Sequence, residues 1–139
     1  MLFQMIIGIL IICGTAYIHA WALALAMDKL NPISKWAKEQ PTNFRLSSAI
    51  GVSVAWVMLA HLVEVAVWAG SLYGFGIFDR LDTSYYFSLV AYTTLGFGDI
   101  ILPGDWRILS GLIAANGFLI FGWSTAFQVE YLNNLRPDR

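Results

Sequence analysis

Charge is scarce in this chain. Eight Lys and Arg face nine Asp and Glu, and charged residues make up only 12% of the 139. Soluble domains carry about a quarter, so an ordinary water-facing surface is excluded. The net charge is −1 and no basic stripe exists, so nucleic acid is not an expected partner. Cysteine occurs once, as Cys13 inside an apolar run. It cannot form an intrachain disulfide, no metal-ligand spacing surrounds it, and it reads as a small apolar helix residue. No apolar run carries a ladder of arginines, so no voltage sensor is expected, and the tail 132–139 holds no soluble regulatory domain. No nucleophile–base pair, metal cluster or phosphate loop is visible, so neither enzymatic activity nor a cofactor is expected. Internal repeats and low-complexity tracts are also missing.

What the chain has in excess is apolar length, with 58% hydrophobic residues. Three runs, roughly 2–27, 47–73 and 106–131, exceed the approximately 20 residues that cross a bilayer. The first run has no positive leader and is too long for a signal-peptide core, so it reads as a retained helix. Residues 28–46 carry Lys29, Lys35, Lys38 and Arg45 against Asp28 and Glu39. Residues 74–105 carry Arg80 against Asp79, Asp82, Asp99 and Asp105. The positive-inside rule puts the first loop and the tail with Arg136 and Arg139 in the cytoplasm, and the N-terminus and the second connection outside. Within the first loop "ISKWAKEQ", between Pro32 and Pro41, reads as a short helix at the membrane surface.

The second connection is too long and too apolar to be a simple loop. Asp82 or Thr83 can cap a short helix, "SYYFSLVAYT", ending near Thr93. It is too short to span and too apolar for water, which leaves a re-entrant half-helix. Non-helical backbone at membrane depth is tolerated only where it is buried in protein or lines a wet cavity. The residues that follow, "TTLGFGD", should therefore line a path for water or ions. Rings of backbone carbonyls can replace the hydration shell of a cation. Aligning successive carbonyls needs unusual dihedrals at alternate residues, which Gly96 and Gly98 adopt without a steric penalty. Thr94 adds a hydroxyl at the inner end of the row and Asp99 closes the outer end. Leu95 and Phe97 should point away from the path and pack the strand. The half-helix aims its negative end at the membrane centre, which favours a cation there.

At these residues "TTLGFGD" resembles the selectivity-filter signature of the tetrameric potassium channels. The third run, "WRILSGLIAANGFLIFGWSTAFQVE", is similar to the inner helix of the bacterial two-helix potassium channels. Gly117 falls at their hinge glycine, Phe121-Gly122 repeats a Phe-Gly pair, and Thr125 and Ala126 match small cavity-lining positions. Tyr86 and Phe87 match the aromatic cuff of the pore helix. The likeness covers residues 47–131, leaving 1–27 and the basic loop 28–46 as extras. Two positions depart from it: Val90 stands where some of those channels carry a glutamate behind the filter, and Phe97 has no hydroxyl to bond the cuff. The resemblance implies an all-α membrane protein with three transmembrane helices, a re-entrant pore helix at 82–93 and a filter at 94–99, between an outer helix (47–73) and an inner helix (106–131). It also implies a homotetramer in the bilayer of a bacterial inner membrane. K+ would be coordinated by Thr94, Leu95, Gly96 and Phe97, with Gly98 completing the filter and Thr93, Asp99, Tyr86 and Phe87 supporting it. A potassium-selective channel is the first reading; a weakly selective cation channel and a non-conducting pore-fold subunit or sensor are the alternatives.

Polar residues interrupt the apolar runs at His19, His61, Glu64, Asn116 and Gln128. Intramembrane ionisable residues are functional candidates by default. His61 and Glu64, at i and i+3, share a helix face. They form either a proton-sensitive pair coupled to the pore or interhelical glue, with His19 a possible third member tying the first helix to the second. Asn116 is expected to bond the pore helix or a neighbouring subunit. Gly117 is either a gating hinge or a site of close helix packing.

Overall fold

The computed structural model describes residues 2–135. The part of the 132–139 tail beyond Leu135, with Arg136 and Arg139, lies outside the described residues. Five helices run in the order α1 (Leu2–Lys29), α2 (Asn31–Glu39), α3 (Asn43–Gly74), α4 (Leu81–Tyr92) and α5 (Arg107–Leu135), with a 3-10 turn at Gly104–Trp106 before α5. No strand occurs among the described residues. The long helices have 28, 32 and 29 residues. At about 1.5 Å per residue each exceeds the roughly 30 Å hydrocarbon core. All three are apolar on nearly every side, as a membrane requires.

Local chemistry sets the helix ends. Thr42 caps α3 in an extended conformation, its Oγ1 accepting from the Arg45 amide at 3.3 Å. Pro32 sits in the first turn of α2, where its missing N–H goes unneeded. The short helix thus opens at Asn31, one residue before the proline. α3 closes in a Schellman motif: Gly76, at φ +67°, donates to the Tyr73 carbonyl, and Ile77 donates to Leu72 at 3.0 Å.

The start of α4 differs from the sequence expectation. The residue at the cap position is Arg80, in extended conformation, and Asp82 lies in the first turn. Asp82 accepts from the Thr83 amide at 2.8 Å and from Arg80 Nε at 3.0 Å. The Arg80 side chain folds forward onto the carboxylate, so the cap residue is also the charge partner, and the helix opens at Leu81, one residue before the aspartate.

α1 lies in the groove between α3 and α5 of its own chain. Its buried stripe is Gly8, Thr15, His19, Leu23 and Ala26, one face of a helix. A Cβ at Gly8 would run into the Leu112 side chain, so the glycine sets the close approach of α1 to α5. Two apolar clusters hold the ends: one around Trp68, Leu72, Phe87, Tyr92, Leu109 and Ile113, the other around Ala26, Leu30, Ala37, Ala49, Tyr131 and Leu135.

Candidate ion pathway and a buried polar cluster

α4 stops at Tyr92 and the chain turns into the segment 93–99. Thr94, Gly96 and Gly98 have φ of +60°, +56° and +78°; Thr94 is the only non-glycine among the described residues with positive φ. For a β-branched residue this is a true outlier, of the kind that costs about 1–3 kcal/mol and persists only where the surroundings enforce it. The sequence assigned the alternation to the two glycines; the third member, Thr94, was not foreseen. Alternating handedness turns every second peptide over, so neighbouring carbonyls can face the same way.

The amides of the segment are held from behind. Thr93 donates to Leu89, Thr94 to Ala91 and Leu95 to Val90, each at 3.0 Å, and Gly96 also reaches Val90 at 3.3 Å. These bonds satisfy the carbonyls that a helix end otherwise leaves unpaired and leave the segment's own carbonyls free. Val90 acts here through its backbone, so an apolar side chain suffices at that position. Tyr86 Oη donates to Asp99 Oδ2 at 2.7 Å, which ties the helix to the far end of the segment. Phe87, by contrast, is buried in the apolar cluster beside Trp68 and Tyr92.

Leu95 and Phe97 do not pack as expected within the chain. They are 57% and 66% exposed, because no element of the same chain reaches that side. Thr125 and Ala126 are also exposed on α5. Gly117 is buried, and a Cβ there would collide with the Tyr92 carbonyl. The residue is small because α5 crosses the end of α4 at backbone contact. Gly122 has open space around it.

His61 and Glu64 belong to a larger group that the sequence only partly revealed. His19 Nδ1 lies 2.8 Å from Glu64 Oε1, closer than the i,i+3 partner, whose Nδ1 is 3.4 Å from Oε2. Tyr92 Oη donates to Glu64 Oε2 and lies 3.2 Å from His61 Nδ1. Ser124 Oγ sits 3.1 Å from His19 Nε2 and 3.0 Å from His61 Nε2. His19 and Glu64 are fully buried, and His61 is 4% exposed. One ligand atom from each of His19, His61 and Glu64 lies within 4.8 Å of the others. A metal-type grouping is therefore present where the sequence reading saw none, because its first two members are 42 positions apart on different helices.

Asn116 also departs from expectation. Its partners within the chain lie on the long helices and not on α4: Trp68 Nε1 donates to its Oδ1 at 2.8 Å and Thr15 Oγ1 donates to it at 2.9 Å. Gln128 meets Ser53 at 2.8 Å. These bonds link α1, α3 and α5.

Three spans enclosing a half-helix and a carbonyl-bearing return strand define an integral membrane protein of the pore type. A family model described as "Ion channel" matches residues 53–134, and the chain belongs to that family, built on the two-helix K+ channel pore module. The match takes in α3 from Ser53 onward, α4, the 93–99 segment and α5, and leaves out α1, α2 and the first turns of α3. No curated protein and no solved structure matches the chain.

Proposed function

We propose that the protein is a potassium-selective channel that conducts K+ passively, with four chains around one axis and the 94–98 carbonyls facing it. The observation that carries this reading is the alternation of left-handed residues at Thr94, Gly96 and Gly98, with amides tied back to α4. Such a strand has free carbonyls on one side and no other evident use for them. The Thr94, Leu95, Gly96 and Phe97 carbonyls, with the Thr94 hydroxyl, would replace the water stripped from K+. One chain supplies one strand, so a closed ring needs further copies. The uncovered Leu95 and Phe97 side chains support this, since a neighbouring chain would cover them. The membrane orientation proposed is N-terminus outside, α2 and the basic loop cytoplasmic.

Flux into vesicles containing the purified protein tests the reading. K+ uptake well above Na+ uptake, lost in Gly96→Ala because a Cβ opposes its φ of +56°, is the expected result. Equal K+ and Na+ flux would mean a weakly selective cation channel. Absence of flux from a folded protein would mean a non-conducting pore-fold subunit.

A further inference from the structure

The cluster around Glu64 is short of hydrogens. With the Ser124 hydroxyl donating to the Ile120 carbonyl, 3.0 Å away, its oxygen is left to accept from the Nε2–H of both histidines, at 3.1 and 3.0 Å. With Nε2 carrying the hydrogen in each neutral ring, both Nδ1 lone pairs point back at the same carboxylate. The phenol of Tyr92 supplies one hydrogen, and it goes to Glu64 Oε2. Counted with Glu64 ionised, the cluster carries one negative charge in a membrane interior. Among the described residues its only ion-pair partners are the two histidines. Such a charge must be offset.

A single added proton between His19 and Glu64 would restore neutrality. It would still leave His61 Nδ1 facing the Glu64 and Tyr92 oxygens, at 3.4 and 3.2 Å, with no hydrogen between them. A second proton would fill that gap and make the cluster positive. A divalent metal ion resolves both problems at once.

We propose that His19 Nδ1, His61 Nδ1 and the Glu64 carboxylate, closed by the Tyr92 oxygen, form a binding site for a divalent transition-metal ion of the zinc type. Two imidazoles and two oxygens are a ligand set such ions accept. Tetrahedral bonds of about 2.0–2.1 Å separate ligand atoms by roughly 3.3 Å. The separations of 2.8, 3.4 and 3.2 Å lie around that value, and the close Tyr92 Oη–Glu64 Oε2 contact opens as the phenol loses its proton to the exchange and both oxygens turn to the ion. Ser124 supplies what metal-binding histidines ordinarily require, an acceptor that fixes the other ring nitrogen, and supplies it to both rings. The exchange balances: the ion enters, one proton leaves the His19–Glu64 pair and one leaves the Tyr92 phenol, and the cluster stays neutral. The site joins α1, α3 and α4 and does not depend on which ion the pore conducts.

The test uses the full chain in detergent, with Cys13→Ala and a tag free of histidine, stripped by a chelator and titrated with Co2+ as the probe. The expected result is the visible d–d band of tetrahedral Co2+, saturating at one ion per chain and abolished by Zn2+. The band should vanish in His19→Ala and in His61→Ala. Ser124→Ala keeps all ligands and should bind about 10–100-fold more weakly. A band that is missing in the otherwise unaltered protein, with bound metal at background, overturns the proposal and leaves a cluster held by protons only. A band that survives both histidine changes overturns it equally. The unaltered ligand set decides the matter even if a variant fails to fold.

Discussion

Tyr86 and Asp99 are joined by a 2.7 Å hydrogen bond, phenol to carboxylate, from α4 to the far end of the 93–99 segment. Tyr86 therefore grips the residue beyond the glycines, where Phe97 has no hydroxyl to offer. The bond is open to water, so it steers the segment more than it stabilises the fold. Tyr86→Phe should loosen the outer end of the segment and lower the K+/Na+ permeability ratio, with assembly unchanged. Bi-ionic reversal potentials measure this. An unchanged ratio would mean that the bond does not hold the segment.

Gly117→Ala separates packing from hinge. The added Cβ meets the Tyr92 carbonyl, so α5 and α4 must move apart. Overpacking typically costs about 1–3 kcal/mol, against roughly 1 kcal/mol gained in helix propensity. The thermal midpoint in detergent should fall, while Gly122→Ala, in open space, should leave it level or raise it. If Gly117→Ala instead preserves the midpoint and changes only open probability, the hinge reading stands and the packing reading fails.

Orientation can be read at α2. Glu39 is exposed at the end of that helix, a better probe than Ser34, which is bonded to Tyr131. With Cys13→Ala, which is necessary because Cys13 is itself exposed, Glu39→Cys should react with an impermeant thiol reagent only from the cytoplasmic side. Labelling from outside intact cells would reverse the proposed topology.

Asp82 gives a pH test. The Arg80 guanidinium, and then the Thr83 amide, hold its carboxyl down to about 2. A depressed carboxyl stabilises the folded form above the ordinary carboxylate range, and that contribution is lost as pH falls through the folded value. The window is thus from about pH 4 down to about pH 2. Both side chains are largely exposed, so the effect is small. Asp82→Asn should flatten the acid limb of stability over that window only; a steeper limb would refute the pairing.

The backbone geometry of the 93–99 segment was legible because its chemistry is local. A short apolar helix, two glycines at spacing two and a closing aspartate lie in one continuous stretch, and the dihedrals follow from residue type. Thr94 escaped notice because a β-branched residue gives no warning of positive φ. The polar cluster was half legible. His61 and Glu64 share a face by spacing, but Tyr92 and Ser124 are ordinary in sequence, and only packing brings them to His19. Helices apolar on every side show no stripe from which α1's partners could be deduced. Leu95 and Phe97 point outward as expected and stand exposed in the single chain, so what packs on them lies beyond a single-chain reading.

Asn116, Gly117 and Ser124 lie within nine residues of α5, and α1 touches that helix above, at and below this stretch. Gly8 lies against Leu109 and Leu112, Thr15 against Asn116, His19 against Ser124, and Ala26 at the far end in the cluster with Tyr131 and Leu135. α1 is a single unbroken rod from Leu2 to Lys29. An inner helix that flexed at residue 117 would change the spacing between fastenings that the rod holds constant. α1 thus works as a tie-bar: the lower half of α5 can swing only if the added helix swings with it or lets go.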